Sequence, residues 1–193
     1  MHIKKEIRVL GIDDGPFTKN SIKTIVVGII MRGAQDFDGM VTTEITVDGL
    51  DATEKIIEMI NKSKYKNELK VIVFKGVTIG GFNVIDIDTI HKSTGLPVII
   101  ISRKKPNFEK IFNALKNFND GQYRWKLIKK AGKVNKLKIK NNKILYFQFK
   151  GVKKEDAEKI ILLICKSSLI PEPLRLAHMI ASAIVKGESG GRP

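Results

Sequence analysis

Two nearly unbroken apolar runs, LKVIVF at 69–74 and GLPVIIIS at 95–102, constrain the fold more than any other feature of this chain. A strand buried on both faces reads as a continuous apolar run, because neither side of its pleat meets water. Both runs are short, rich in Val and Ile, and bounded by polar or glycine residues, which are the marks of strands rather than helices. Two such strands separated by a helical stretch imply a parallel pair with helices on both faces.

Upstream lie IRVLGI (7–12), TIVVGIIM (24–31) and MVTTEITV (40–47), joined by short links that include the polar stretch RGAQDFDG (32–39). Short links favour antiparallel neighbours, since a parallel return needs a long crossover. The expectation is therefore an α/β protein with a mixed five-stranded sheet, three antiparallel strands followed by parallel ones, flanked by helices. Asp51 is expected to cap a helix, with Glu54 at N3 completing a capping box and Ile56, Ile57, Met59 and Ile60 on its apolar face. Further helices are expected over 84–94, 107–118, 123–132, 153–168 and 171–185, the last with proline at its entry. The stretch 137–149 reads as a β-hairpin turning at Asn141-Asn142. Residues 1–186 read as a single domain and 187–193 as a flexible tail.

Charge is distributed unevenly. The chain carries a formal net charge of +15. Residues 103–154 hold 17 Lys and Arg against only Glu109 and Asp120, while the remainder balances at 18 basic and 18 acidic residues. A basic block of this kind forms a field for a polyanion such as nucleic acid. Lysine-rich decoration, common in thermophiles, is the competing account of the lysines, but it does not explain the asymmetry. Lys129, Lys130, Lys133 and Lys136 are the expected phosphate contacts in this block. Trp125, set between Arg124 and Lys126, has two readings, a ring that stacks on a base and one that packs against the core, and the second is the expectation.

Other classes are disfavoured. The single cysteine, Cys165, cannot form an internal disulfide, and its place in IILLIC suits a core position. No apolar run approaches the roughly 20 residues that span a bilayer. MHIKKEIRVLGIDD reaches an aspartate pair before a signal-peptide core forms. A cytoplasmic protein without membrane contact is expected; the oligomeric state is left open.

Candidate chemistry begins with Asp13 and Asp14, at the C-terminal edge of a strand where open α/β sheets place their sites. Adjacent strand residues point to opposite faces, so one acid at most faces a given cleft. Asp-Asp-Gly-Pro is also ordinary turn chemistry, and both readings stand. Asp48 precedes a glycine at a strand end and has the same two readings. Glu44 reads as a solvent-facing strand position and Asp86 as an exposed helix residue. GVTIGGFNVID (76–86) carries Gly76, Gly80 and Gly81 after a buried strand but lacks the Gly-Lys-Ser/Thr of a P-loop. Glu172, Arg175 and His178 are spaced to share a helical face. No histidine or cysteine pair has zinc spacing, and no hydrolase triad is evident. Acids at several strand ends beside a basic segment suggest an oxygen-ligand site for Mg²⁺ or Mn²⁺ acting on a phosphodiester.

VLGIDDGPF, VDGLDATE, GVTIGGFNVID, GLPVIIISRKKP and PEPLRLAHMIASAI together resemble an archaeal family of endonuclease V-like proteins, one branch of which is known as endonuclease dU. The resemblance implies an RNase H-like fold and divalent-metal-dependent hydrolysis of DNA near a deaminated base, deoxyuridine or a related lesion. It implies Asp13 as the first-strand metal carboxylate, Asp14 as an auxiliary acid and Asp48 as the metal acid after the third strand. Glu172 or His178 would complete the catalytic set. Lys75, Gly76, Gly80, Gly81 and Arg175 would contact the nucleic acid. Lys75 stands where many relatives place an acid before Gly76, so the alternative is a nucleic-acid-binding relative with weak or lost catalysis.

Overall fold

The structure, a computed structural model, describes residues 3–139, 143–166 and 169–190. In chain order the elements are β1 (Arg8–Asp14), β2 (Lys23–Arg32), β3 (Asp36–Thr46), α1 (Ala52–Lys62), β4 (Val71–Lys75), β5 (Thr78–Ile79), β6 (Asn83–Val84), α2 (Ile87–Thr94) and β7 (Val98–Ser102). There follow α3 (Phe108–Leu115), α4 (Gly121–Lys130), β8 (Asn135–Lys138), β9 (Ile144–Lys150), α5 (Lys154–Ile164) and α6 (Glu172–Lys186).

The main sheet runs β3-β2-β1-β4-β7-β9-β8. Its first five strands are those expected. β1, β2 and β3 form the antiparallel meander, and β4 and β7 extend it in parallel from β1. The basic hairpin does not stand apart. β9 pairs antiparallel with β7 and carries β8, so the sheet has seven strands among the described residues. The hairpin turn at Asn141-Asn142 lies outside the described residues.

Strand alternation sorts the core. Leu10, Ile12, Ile72, Phe74, Val98 and Ile100 pack under α1 and α2. Val9, Val71, Val73, Ile99 and Ile101 pack with Ala157, Ile160, Ile161 and Ile164 of α5 and Leu174 of α6. Both faces of β1, β4 and β7 are covered, which is why these strands read as continuous apolar runs.

Three local readings are corrected. The polar connection over 32–39 is mostly strand: β2 reaches Arg32 and β3 begins at Asp36, because Asp38 is held by ion pairs to Arg8 and Arg32 at the sheet edge. Asp51 makes no capping bond to α1. Its carboxylate accepts from Thr46 N at 3.1 Å and Asn83 Nδ2 at 2.6 Å, while Asn83 Oδ1 takes the free Ala52 N–H at 3.1 Å. Capping is thus delegated to a residue on β6, and the hydrogen bonds from Asn83 and Thr46 outweigh burial and hold Asp51 below its ordinary pKa. Asp86 is not a solvent-facing helix residue. It caps α2 by accepting from Asp88 N and Thr89 N, and it pairs with Lys130 Nζ at 2.7 Å. Glu44 is exposed, as expected.

Candidate functional site

The C-terminal edge of β1 and β4 sets the site. In the parallel register Ile12 lies beside Phe74, so Asp13 and Lys75 come next, with side chains on the same face. Asp13 is buried, at 5% exposure. Its Oδ2 lies 3.3 Å from Lys75 Nζ and 3.1 Å from His178 Nδ1. A carboxylate only accepts, so Nδ1 donates, which leaves Nε2 as the basic atom of the neutral ring.

His178 reaches Asp13 because α6 lies directly on β1, and Gly11 is what permits this. A Cβ on Gly11 would lie 2.5 Å from Pro173 Cβ and 2.6 Å from the Pro173 carbonyl carbon. His178, Ser182 and Lys186, successive fourth residues of α6, line a cleft of about 530 Å³ with Asp13, Asp14, Gly15, Pro16, Phe17 and Lys75. Glu188, Ser189 and Gly190, expected in the tail, line it too; residues 191–193 lie outside the described residues. A second cavity of about 670 Å³ also includes Lys75 and runs past Gly76, Ser102, Arg103, Lys104 and Pro171. Lys75 therefore stands where the two cavities meet.

Asp14 also lines this cleft, with its carboxyl within hydrogen-bond reach of that of Asp13, and it accepts from Gly80 N at 2.8 Å. Burial first, then the neighbouring Asp13 charge, pushes its carboxyl up to about 6. Asp48 adopts φ of 55° and accepts from Phe82 N at 2.7 Å. Asp14 and Asp48 thus clasp the β5–β6 turn from two sides, and Asp48 is not among the residues lining the Asp13 cleft. Gly80 and Gly81 serve that turn: both have positive φ, and a Cβ on Gly81 would lie 2.2 Å from Asp48 Oδ1. With Gly80 N and Phe82 N already engaged, this turn does not offer a phosphate cradle. Gly76 borders the second cavity.

Glu172 and Arg175 pair with each other, Nε to Oε2 at 3.0 Å, and Arg175 also reaches Met179 Sδ. Neither lines the Asp13 cleft. Lys130 is exposed but ion-paired with Asp86 and Asp88. Lys129, Lys133 and Lys136 are exposed. Trp125 is half-buried and packs against the buried cluster of Val84, Leu115 and Ile128, as expected. Ser182 and Lys186 form a four-residue stripe below His178 that the sequence shows, and Arg103 and Lys104 follow the end of β7; spacing alone does not mark any of the four as cleft residues.

A hard divalent cation needs several oxygen ligands at one point. Here Asp13 faces an ammonium, Asp14 beside it holds the Gly80 amide, and Asp48 clasps a turn. Among the described residues no group of three or more His, Cys, Asp or Glu is placed to hold a metal. The side chains as arranged do not fit Mg²⁺ or Mn²⁺, and the pairing of Asp13 with Asp48 is not formed at this cleft.

Among the described residues no helix is long and apolar enough to cross a membrane. A UPF0215 protein of Methanosarcina mazei is 51% identical over 99% of this chain and 97% of its own length, and one of Thermococcus sibiricus is 52% identical over 97% and 96%. The crystal structure of an Archaeoglobus fulgidus protein superposes with a TM-score of 0.85 at 37% identity, covering 94% of this chain and 99% of that one. Endonuclease V of Ciona intestinalis, solved with DNA containing an inosine, shares the RNase H-like fold at a TM-score of 0.57 and 17% identity, over 89% of this chain and 82% of that one. The family model for endonuclease dU matches residues 5–185. Spanning nearly all of this chain, that match and the close relatives make it a member of the endonuclease dU family.

Proposed function

We propose that this protein hydrolyses DNA phosphodiesters beside a deaminated base, in the cleft where Asp13, Lys75 and His178 meet. The observation that carries the reading is the convergence of Lys75 and His178 on one Asp13 oxygen, at 3.3 and 3.1 Å. Family membership and the basic block support DNA as the substrate. The Lys75 ammonium binds a non-bridging phosphate oxygen as a point charge. Asp13 orients His178 so that Nε2 accepts a proton from water. The water oxygen bonds to phosphorus, one P–O ester bond breaks, and the released alkoxide takes a proton from solvent. No step is routed through a metal. A divalent cation reaches Asp13 only when the Lys75 ammonium leaves it.

The Asp13–Lys75 pair also favours a second reading, in which DNA is held without turnover because the carboxylate is already neutralised. Duplexes containing deoxyuridine or deoxyinosine, incubated in Mg²⁺, Mn²⁺ or chelator, distinguish the two. Cleavage by the wild type that is lost in Asp13→Asn and His178→Ala is the expected result. Binding without cleavage under all three conditions selects the second reading. Wild-type rates in Asp13→Asn reject the site.

A further inference from the structure

The apolar face of α3 is only partly covered: Ile111 packs against the buried cluster of Val84, Leu115 and Ile128, while Phe108 stays exposed and Phe112 half-exposed. α3 buries only Leu115. Phe108 is 38% exposed, and Phe108 and Phe112 belong to none of the buried clusters among the described residues. Both rings instead meet Trp125 of α4, with centroids at 6.1 and 5.2 Å and interplanar angles of 71° and 56°. The rings meet edge-on or tilted, so they do not cover one another's faces by stacking. Lys116 Nζ stands over the Phe112 ring, 5.4 Å from its centroid, and Lys129 Nζ over the Trp125 ring at 5.7 Å, so one face of each of these rings lies under an ammonium. Phe108, Phe112 and Lys116 are spaced by four residues along α3 and its C-cap, and Trp125 and Lys129 by four along α4.

We infer that this face is a stacking platform for single-stranded nucleic acid. Flat apolar faces between ammonium groups match a ligand that alternates aromatic bases with phosphates, and such stacking tolerates any base. Charge complementarity selects a polyanion over an ordinary protein partner. The only acids between Arg103 and Lys130 are Glu109 and Asp120, and Asp120 is tied to Arg124. Position supports the same occupant. Arg103 and Lys104 line the cavity that adjoins the Asp13 cleft at Lys75, and α3 begins at Phe108. A strand leaving the cleft along those two residues meets Phe108 next.

The inference rests on the nucleic-acid reading above but is tested without cleavage. Trp125 is the only tryptophan in the chain, so its emission reports on the platform. Unmodified oligodeoxythymidylate titrated into the full-length protein in chelator should quench it saturably. Phe108→Ala and, separately, Phe112→Leu should each weaken binding at least about fivefold, the lower range for losing one stacking ring. Melting temperature checks that both variants remain folded. Unchanged emission, or wild-type affinity in both variants, overturns the platform. Quenching by anionic phospholipid vesicles but not by the oligonucleotide also overturns it and assigns the face to a lipid surface. A protein that cleaves but shows no quenching loses only the platform, and one that quenches but never cleaves loses only the cleavage reading.

Discussion

Removing the Lys75 ammonium should open the Asp13 carboxylate to a divalent cation. Lys75 Nζ lies 3.3 Å from Asp13 Oδ2, with the lysine side chain 30% exposed and the aspartate 7%. At that separation the attraction is about 5 kcal/mol for an effective dielectric of about 20 and about 1.3 kcal/mol in bulk water. The partial exposure of the lysine places the real value toward the lower figure. A cation that must first displace the ammonium therefore loses at least about tenfold in affinity, taking 1.36 kcal/mol per factor of ten. Titration calorimetry of Mn²⁺ into wild type, Lys75→Ala and Lys75→Asp measures the effect. Lys75→Ala should bind at least about tenfold tighter than wild type. Lys75→Asp should bind tighter still, because it places a second carboxylate beside the first. Under the proposed mechanism Lys75→Ala should also slow cleavage in chelator by losing its grip on phosphate. Equal Mn²⁺ affinities in all three proteins would refute the idea that Lys75 occupies the cation position.

Gly11→Ala should lower the melting temperature through an overpacking loss of about 1–3 kcal/mol, since its Cβ would press on the Pro173 backbone; an unchanged melting temperature would show that α6 shifts freely. Asp14, pushed up to about 6 by burial and by Asp13, holds a proton more tightly folded than unfolded. Its neutral form therefore adds stability below about pH 4 that is lost as pH rises through 6, up to about 3 kcal/mol for the gap. Urea midpoints from pH 4 to 7 should fall with pH in wild type and stay flatter in Asp14→Asn, whose amide oxygen still accepts from Gly80. Lys130→Ala should leave the salt dependence of duplex binding unchanged, because Lys130 faces Asp86 and Asp88. Lys129, Lys133 and Lys136 should each reduce the slope by about 0.9 where they contact a phosphate; a Lys130 effect as large as theirs would refute this division.

The strands were legible because hydrophobic periodicity is a local property. LKVIVF and GLPVIIIS read as doubly covered strands, whereas alternation alone separates Asp13 and Asp14, which the fold brings to one cleft. The basic block was equally visible, as was the common face of α6 that carries His178. What those residues meet was not legible. Lys75 is 62 positions from Asp13 and His178 is 165 away, and only the β1–β4 register and the seating of α6 over Gly11 bring them to one oxygen. Asp51 looked like a cap, but Asn83, arriving from a remote hairpin, took the free amide and left Asp51 to receive bonds. Asp48, Gly80 and Gly81 had the composition of a ligand loop, yet folding directs them at one another. Lys130 looked like its lysine neighbours until α4 settled against the acids at the start of α2. Residue type and spacing determine which chemistry a side chain carries and which face of its own element it occupies. Its partner is decided by packing between segments distant in sequence, and local pattern holds no record of that distance.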